Sequence, residues 1–191
     1  MVDPLTMFQM AESLHLEVSL DTICCRRAVA HFPFKDRDVQ LIFVNVMPGT
    51  LGSCGLKVDH LEDWMAEQGM GPSRMVLEVT EREILDPRRF YAAVSRFRAA
   101  GFRFAVDDLG TGYSNLSLLA DLAPEFVKLD LGFVQQTPAV PARQWLVESL
   151  VAFSAKIGAS VVAEGVESPS VAEVFRALGV PLAQGYLYQA A

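Results

Sequence analysis

The chain has 191 residues, 51% of them hydrophobic, with a formal net charge of −7. That is enough apolar material for one domain spanning 1–191 with a substantial core, and the acidic balance without a Lys/Arg-rich run excludes a protein that tracks a nucleic-acid polymer on its own basic surface. No window is long and apolar enough to span a bilayer and the first residues lack the pattern of a signal peptide, so the expectation is a cytoplasmic protein with no membrane segment.

In chain order, the first thirty or so residues, "DPLTMFQMAESLHLEVSLDTICCRRAVAHF", read as two helical pieces without a strand. Cys24 and Cys25 are adjacent and Cys54 stands alone, which is neither a disulfide framework nor a zinc pattern. His15, His31 and His60 share no ligand spacing and read as structural or surface residues.

Short apolar runs follow at 41–46, 75–80, 102–107, 125–130, 160–165 and, more weakly, 182–188, each of strand length. Between them lie helical periodicities, such as "VDHLEDWMAEQG", "DPRRFYAAVSRFRAAG" and "PARQWLVESLVAFSAKIG"; the last two start near Pro and stop at Gly. Five βα repeats and a final strand predict an α/β fold with a parallel sheet, closed as a barrel or open and doubly wound.

Polar residues recur where these strands finish. Asn45 ends the first, Glu78 nearly ends the second, Asp107 and Asp108 close the third, Lys128 and Asp130 the fourth, Glu164 follows in the fifth and Gln184 lies in the sixth. In a parallel sheet these ends share one face. Asn, Asp and Glu are hard oxygen donors suited to Mg²⁺ or Mn²⁺, and cations offset the repulsion between neighbouring Asp107 and Asp108. Held by carboxylates, a pair of such ions activates water for phosphoryl displacement. Lys128 is placed to orient a nucleophile, carry its proton or offset phosphate charge, or alternatively to pair with Asp130 or another carboxylate. The loop "GTGYSN" has two glycines, Gly110 and Gly112, and Ser114 or Asn115 as caps for a following helix. It reads as a lid or as an ordinary βα turn.

The stretches "VNVMPGTL", "VLEVTEREI", "FAVDDLGTGYSNLSLL", "EFVKLDLGFV", "VVAEGVES" and "QGYLY" together resemble the EAL-domain family of cyclic di-GMP phosphodiesterases. This resemblance implies a TIM-like (β/α) barrel and hydrolysis of cyclic di-GMP to linear pGpG with two divalent cations, Mg²⁺ or Mn²⁺. It further implies Asn45, Glu78, Asp107 and Asp108 as metal ligands, Asp107 bridging. Lys128 is similar to the lysine that holds the catalytic water, Glu164 to the glutamate that assists it and Gln184 to a glutamine of the same water network. Glu81 resembles the anchor of the lid loop formed by Gly110, Thr111, Gly112, Tyr113 and Ser114, and Asp130 and Glu167 occupy further acidic positions. The resemblance carries with it homodimers formed through helices near the lid and, in a longer parent chain, sensory or GGDEF domains.

The sequence departs from the family in two places. The Glu-Ala-Leu signature is absent, and with it a metal-binding glutamate and a substrate-contacting arginine; Leu109 stands where phenylalanine is usual. Six strands against about eight in a closed barrel of about 250 residues predict an incomplete barrel lacking its first strands. Three readings stand at this point: a phosphodiesterase whose N-terminal part lies outside this chain, weakly active or inactive by itself; an inactive EAL-like module that binds cyclic di-GMP or a protein partner; and an unrelated Mg²⁺-dependent barrel enzyme of the enolase type.

Overall fold

The computed structural model describes residues 3–33, 40–52, 55–80, 84–110 and 116–188. They form two compact units, 1–103 and 104–191. Cys54, Glu81, Thr111, Gly112, Tyr113, Ser114 and Asn115 lie outside the described residues.

The first unit begins with helices α1 (Pro4–Ser13) and α2 (Glu17–His31). Strand β1 (Ile42–Asn45) then leads through the short helix α3 (Pro48–Gly52) to α4 (Val58–Glu67), β2 (Met75–Val79) and α5 (Pro87–Ala99). β1 and β2 run parallel, with Ile42 opposite Met75 and Asn45 opposite Glu78. Every residue of β2 is buried, including Glu78, as expected of a strand covered on both faces. Leu51, Leu61, Met65, Phe90 and Phe97 are further fully buried side chains of this unit.

The α5 start illustrates how the sequence sets a boundary. Asp86 accepts a hydrogen bond from the Arg89 amide through Oδ1 at 3.1 Å, and Pro87 takes the first helical position. Pro has no amide to leave unsatisfied there, and the Asp supplies an acceptor for one of the orphan donors of the first turn.

The second unit contains β3 (Arg103–Leu109), entered from the end of the first, followed by α6 (Leu116–Leu122), β4 (Phe126–Leu129) and α7 (Leu131–Gln136). A 17-residue helix, α8 (Pro141–Ile157), precedes β5 (Ser160–Ala163), α9 (Pro169–Ala177) and β6 (Leu182–Ala183). β3 pairs with β4, β4 with β5 and β5 with β6, all parallel. Phe104, Leu119, Leu122, Val127, Val161 and Phe175 form buried positions of this unit. α8 stops at Gly158, whose φ of 82° is the left-handed conformation that ends helices.

Two local expectations change. The weak apolar run at 182–188 is a strand over just two residues, Leu182–Ala183, after which the chain turns. Gly185 lies in that turn, where its φ is 150° and a Cβ would lie 2.4 Å from the backbone of Val166. Gln184 therefore sits immediately after the last strand rather than inside it. The third strand conversely runs on through both aspartates to Leu109.

Replacing Asp86 by Ala removes the α5 cap and is expected to lower stability by about 1 kcal/mol, read as a lower urea midpoint in circular dichroism. The exposed Asp86–Arg89 ion pair at 3.3 Å adds little to that loss.

Candidate functional site

In the second unit the strand ends gather around one buried lysine. Lys128 lies in β4 between buried Val127 and Leu129, and its side chain is 5% exposed. Its Nζ is 2.6 Å from Glu164 Oε1 and 3.3 Å from Asp107 Oδ1. A backbone bond brings Glu164 into place: its amide donates to Leu129 O at 3.2 Å, continuing the β4–β5 ladder one residue past the strand. Gln184 is set in the same way against Ala163 O at 2.9 Å, and its Nε2 donates to Glu164 Oε1 at 2.7 Å. One carboxylate oxygen thus accepts from both a lysine and an amide.

Adjacent Asp107 and Asp108 are accommodated by an irregularity in β3. Val106 pairs with Val127 and Leu109 with Leu129, so three steps along β3 match two along β4. The extra residue is a bulge, and Asp108 within it has φ of 60°, a conformation that Asp tolerates better than most residues. The Asp108 amide donates to Asp107 Oδ1 at 2.9 Å. Asp107 is largely buried and Asp108 exposed.

Burial pushes the Glu164 carboxyl above its ordinary pKa; Lys128 pulls it back down, while Asp107 and Asp108 add to the rise. Both aspartates therefore lie close enough to act on Glu164 electrostatically. Three carboxylates and one ammonium in this cluster leave an excess of negative charge for a cation to offset.

Among the described residues no three His, Cys, Asp or Glu side chains are gathered closely enough to hold a metal ion on their own. Mg²⁺ does not require that, because it is commonly held by one or two carboxylates together with water and substrate phosphate. The donors here are all oxygen, which fits Mg²⁺ or Mn²⁺ and not a thiolate-preferring ion.

Other residues singled out from the sequence fall differently. Asp130 caps α7, accepting from the Phe133 amide through Oδ1 at 3.1 Å. Glu167 is exposed. Gly110, at φ 110°, packs against the Phe133 ring so closely that a Cβ would lie 2.8 Å from it. In the first unit, Asn45 and Glu78 stand opposite one another at the ends of β1 and β2, Asn45 exposed and Glu78 4% exposed.

The residues just after Asn45 meet an acid that strand-end patterning does not single out. Asp21, 3% exposed on α2, accepts from the Met47 amide through Oδ2 at 3.1 Å. Its one sequence signal is that Asp21, Cys25 and Val29 recur every four residues on a buried helix face.

The EAL domain family matches residues 1–191. Cyclic di-GMP phosphodiesterase RocR of Pseudomonas aeruginosa is 31% identical over 182 residues, which are 95% of this chain and 45% of that protein. Probable cyclic di-GMP phosphodiesterase PdeB of Escherichia coli is 37% identical over 131 residues, 69% of this chain and 25% of its own length. The chain thus spans less than half of either relative. Among solved structures, Klebsiella pneumoniae BlrP1 in a manganese/cyclic di-GMP complex is 30% identical, with a TM-score of 0.84 covering 97% of this chain and 47% of that one. The likeness assigns an α/β fold of the EAL (β/α) barrel type, of which six strands are a part.

Gly110→Ala is expected to lower stability by about 1–3 kcal/mol, because the residue meets both an unfavourable φ and the Phe133 ring. Thermal unfolding of the variant beside the parent chain checks this.

Proposed function

The chain belongs to the EAL domain family, and on that premise we propose that it is a metal-dependent phosphodiesterase domain acting on cyclic di-GMP to yield pGpG. The observation that carries the reading is Lys128, buried between Asp107 and Glu164, with Gln184 donating to the same Glu164 oxygen that Lys128 meets. A purely structural ion pair has no need of a third polar group on that oxygen. We further read 1–191 as one domain, supported by the extent of the family match. The proposed nucleotide substrate places its activity in the cytoplasm, and no described helix is long and apolar enough to cross a membrane.

Asn45, Glu78, Asp107 and Asp108 are the proposed ligands for two divalent cations, Mg²⁺ or Mn²⁺. When bound, such ions lower the pKa of water and stabilise charge on the phosphoryl oxygens. The chain's own groups then have distinct tasks. Lys128 donates a hydrogen bond to the attacking water and offsets charge developing on the phosphate. Glu164 accepts the proton that the water gives up; its raised carboxyl pKa makes it a better base than an ordinary glutamate. Gln184 holds the accepting oxygen in line. The new bond joins the water oxygen to phosphorus, the P–O3′ bond breaks, and the proton passes to the departing 3′ oxygen. Glu81, Thr111, Gly112, Tyr113 and Ser114 are proposed, with Gly110, as the lid and its anchor; Asp130 and Glu167 are assigned to the surrounding acidic positions, Asp130 through the cap it forms on α7.

Absence of the Glu-Ala-Leu tripeptide leaves the 191 residues one carboxylate short of the family's ligand pattern, so we expect slow turnover by this chain by itself. The same absence favours a second reading, a module that binds cyclic di-GMP or a protein partner without hydrolysing it. Homodimerisation and further sensory or GGDEF domains on a longer parent chain remain part of the proposal by family resemblance.

The deciding experiment incubates the purified chain with cyclic di-GMP and Mg²⁺ or Mn²⁺, separates products by chromatography, and titrates cyclic di-GMP calorimetrically in Ca²⁺. Slow formation of pGpG is expected. Binding without product supports the second reading, and neither binding nor product overturns both. Where turnover is measurable, Lys128→Ala is expected to reduce kcat by roughly 100-fold or more with a smaller change in KM.

A further inference from the structure

Three consecutive residues at the end of β1 are gripped by their backbone. The Asn45 carbonyl oxygen is approached by the Cys25 thiol at 3.9 Å, the Val46 amide donates to Glu78 O at 3.0 Å, and the Met47 amide donates to Asp21 Oδ2 at 3.1 Å. Two of these three contacts come from one face of α2, where Asp21 and Cys25 are one turn apart and buried. Pro48 follows, which restricts Met47 to extended conformations. The Asn45 side chain itself is exposed.

A carboxylate at 3% exposure has lost its hydration, so the bonds it makes must replace water, and the Met47 amide supplies one of them. Charge-assisted bonds to backbone amides are stronger than neutral ones, and the one to Met47, at 3.1 Å, fixes the chain two residues beyond Asn45. We infer that Asp21 is a positioning residue: by clamping the Met47 amide, with Cys25 as a weaker second contact, α2 sets the direction in which Asn45 presents its amide oxygen. In what it implies for metal affinity, this rests on the proposed role of Asn45 as a ligand. Groups that orient metal ligands typically alter metal affinity 10–100-fold when removed.

The test compares the full chain with Asp21→Ala, Asp21→Asn and Val29→Ala. Val29 is buried one turn beyond Cys25 on the same face, so its truncation loosens α2 without touching the Met47 amide. Exchange of the Met47 amide is followed by NMR in metal-free buffer, and Mn²⁺ affinity by titration with electron paramagnetic resonance. The expected result is loss of Met47 protection and about tenfold or weaker Mn²⁺ binding in Asp21→Ala, near-parental values in Asp21→Asn, which keeps an oxygen acceptor, and parental Mn²⁺ affinity in Val29→Ala.

Equal losses in Asp21→Ala and Val29→Ala overturn the inference, because they assign Asp21 a general structural role. So does failure of Asp21→Asn to restore what Asp21→Ala loses. If the parent chain binds no Mn²⁺, the ligand reading of Asn45 falls instead. The clamp is then decided by Met47 exchange, faster in Asp21→Ala than in Val29→Ala if it exists and equal if it does not.

Discussion

A charged lysine inside a strand is the constraint around which the second unit is arranged. Lys128 is 4% exposed, and an ammonium removed from water is strongly destabilising unless anions and hydrogen bonds replace the solvent. Asp107 and Glu164 supply the anions from the strands on either side of β4. Each must then arrive at a fixed height: β3 acquires a bulge, β5 extends its ladder by one residue, and β6 ends so that Gln184 reaches Glu164. The geometry follows from satisfying the lysine, and it sets the proposed proton acceptor, Glu164, beside a cation.

The negative excess at this edge has a chemical consequence. Burial raises the Glu164 carboxyl above its ordinary range, Lys128 pulls it back down and the two aspartates add to the rise. A raised carboxyl is the property on which the proposed general-base role of Glu164 draws. A metal-ion partner for the aspartates would relieve part of that push.

In the first unit, control is exerted through backbone groups. Asn45 ends β1 opposite Glu78, and the segment after it is held by β2 on one side and by α2 on the other. Loops gain precision when their amides, rather than their side chains, are fixed, because the peptide plane transmits the constraint to the neighbouring residue. Asp21 is the unusual element there, since an acid on a buried helix face carries a desolvation penalty that an apolar residue avoids.

Much of this organisation was legible in the residue pattern. Apolar runs separated by helical periodicity marked six strands because burial on both faces demands continuous hydrophobicity, and polar residues at the run ends stood out because they interrupt it. Asp86-Pro87 and Gly158 marked helix boundaries through local backbone chemistry, which needs no tertiary information. Tertiary structure alone decided which oxygen Lys128 meets, that β3 bulges at its aspartates, that the last strand stops at Ala183, and that Asp21 reaches Met47. The reason is distance along the chain: Lys128 and Glu164, or Asp21 and Met47, are brought together by sheet register and helix packing, and no periodicity within either segment encodes its partner.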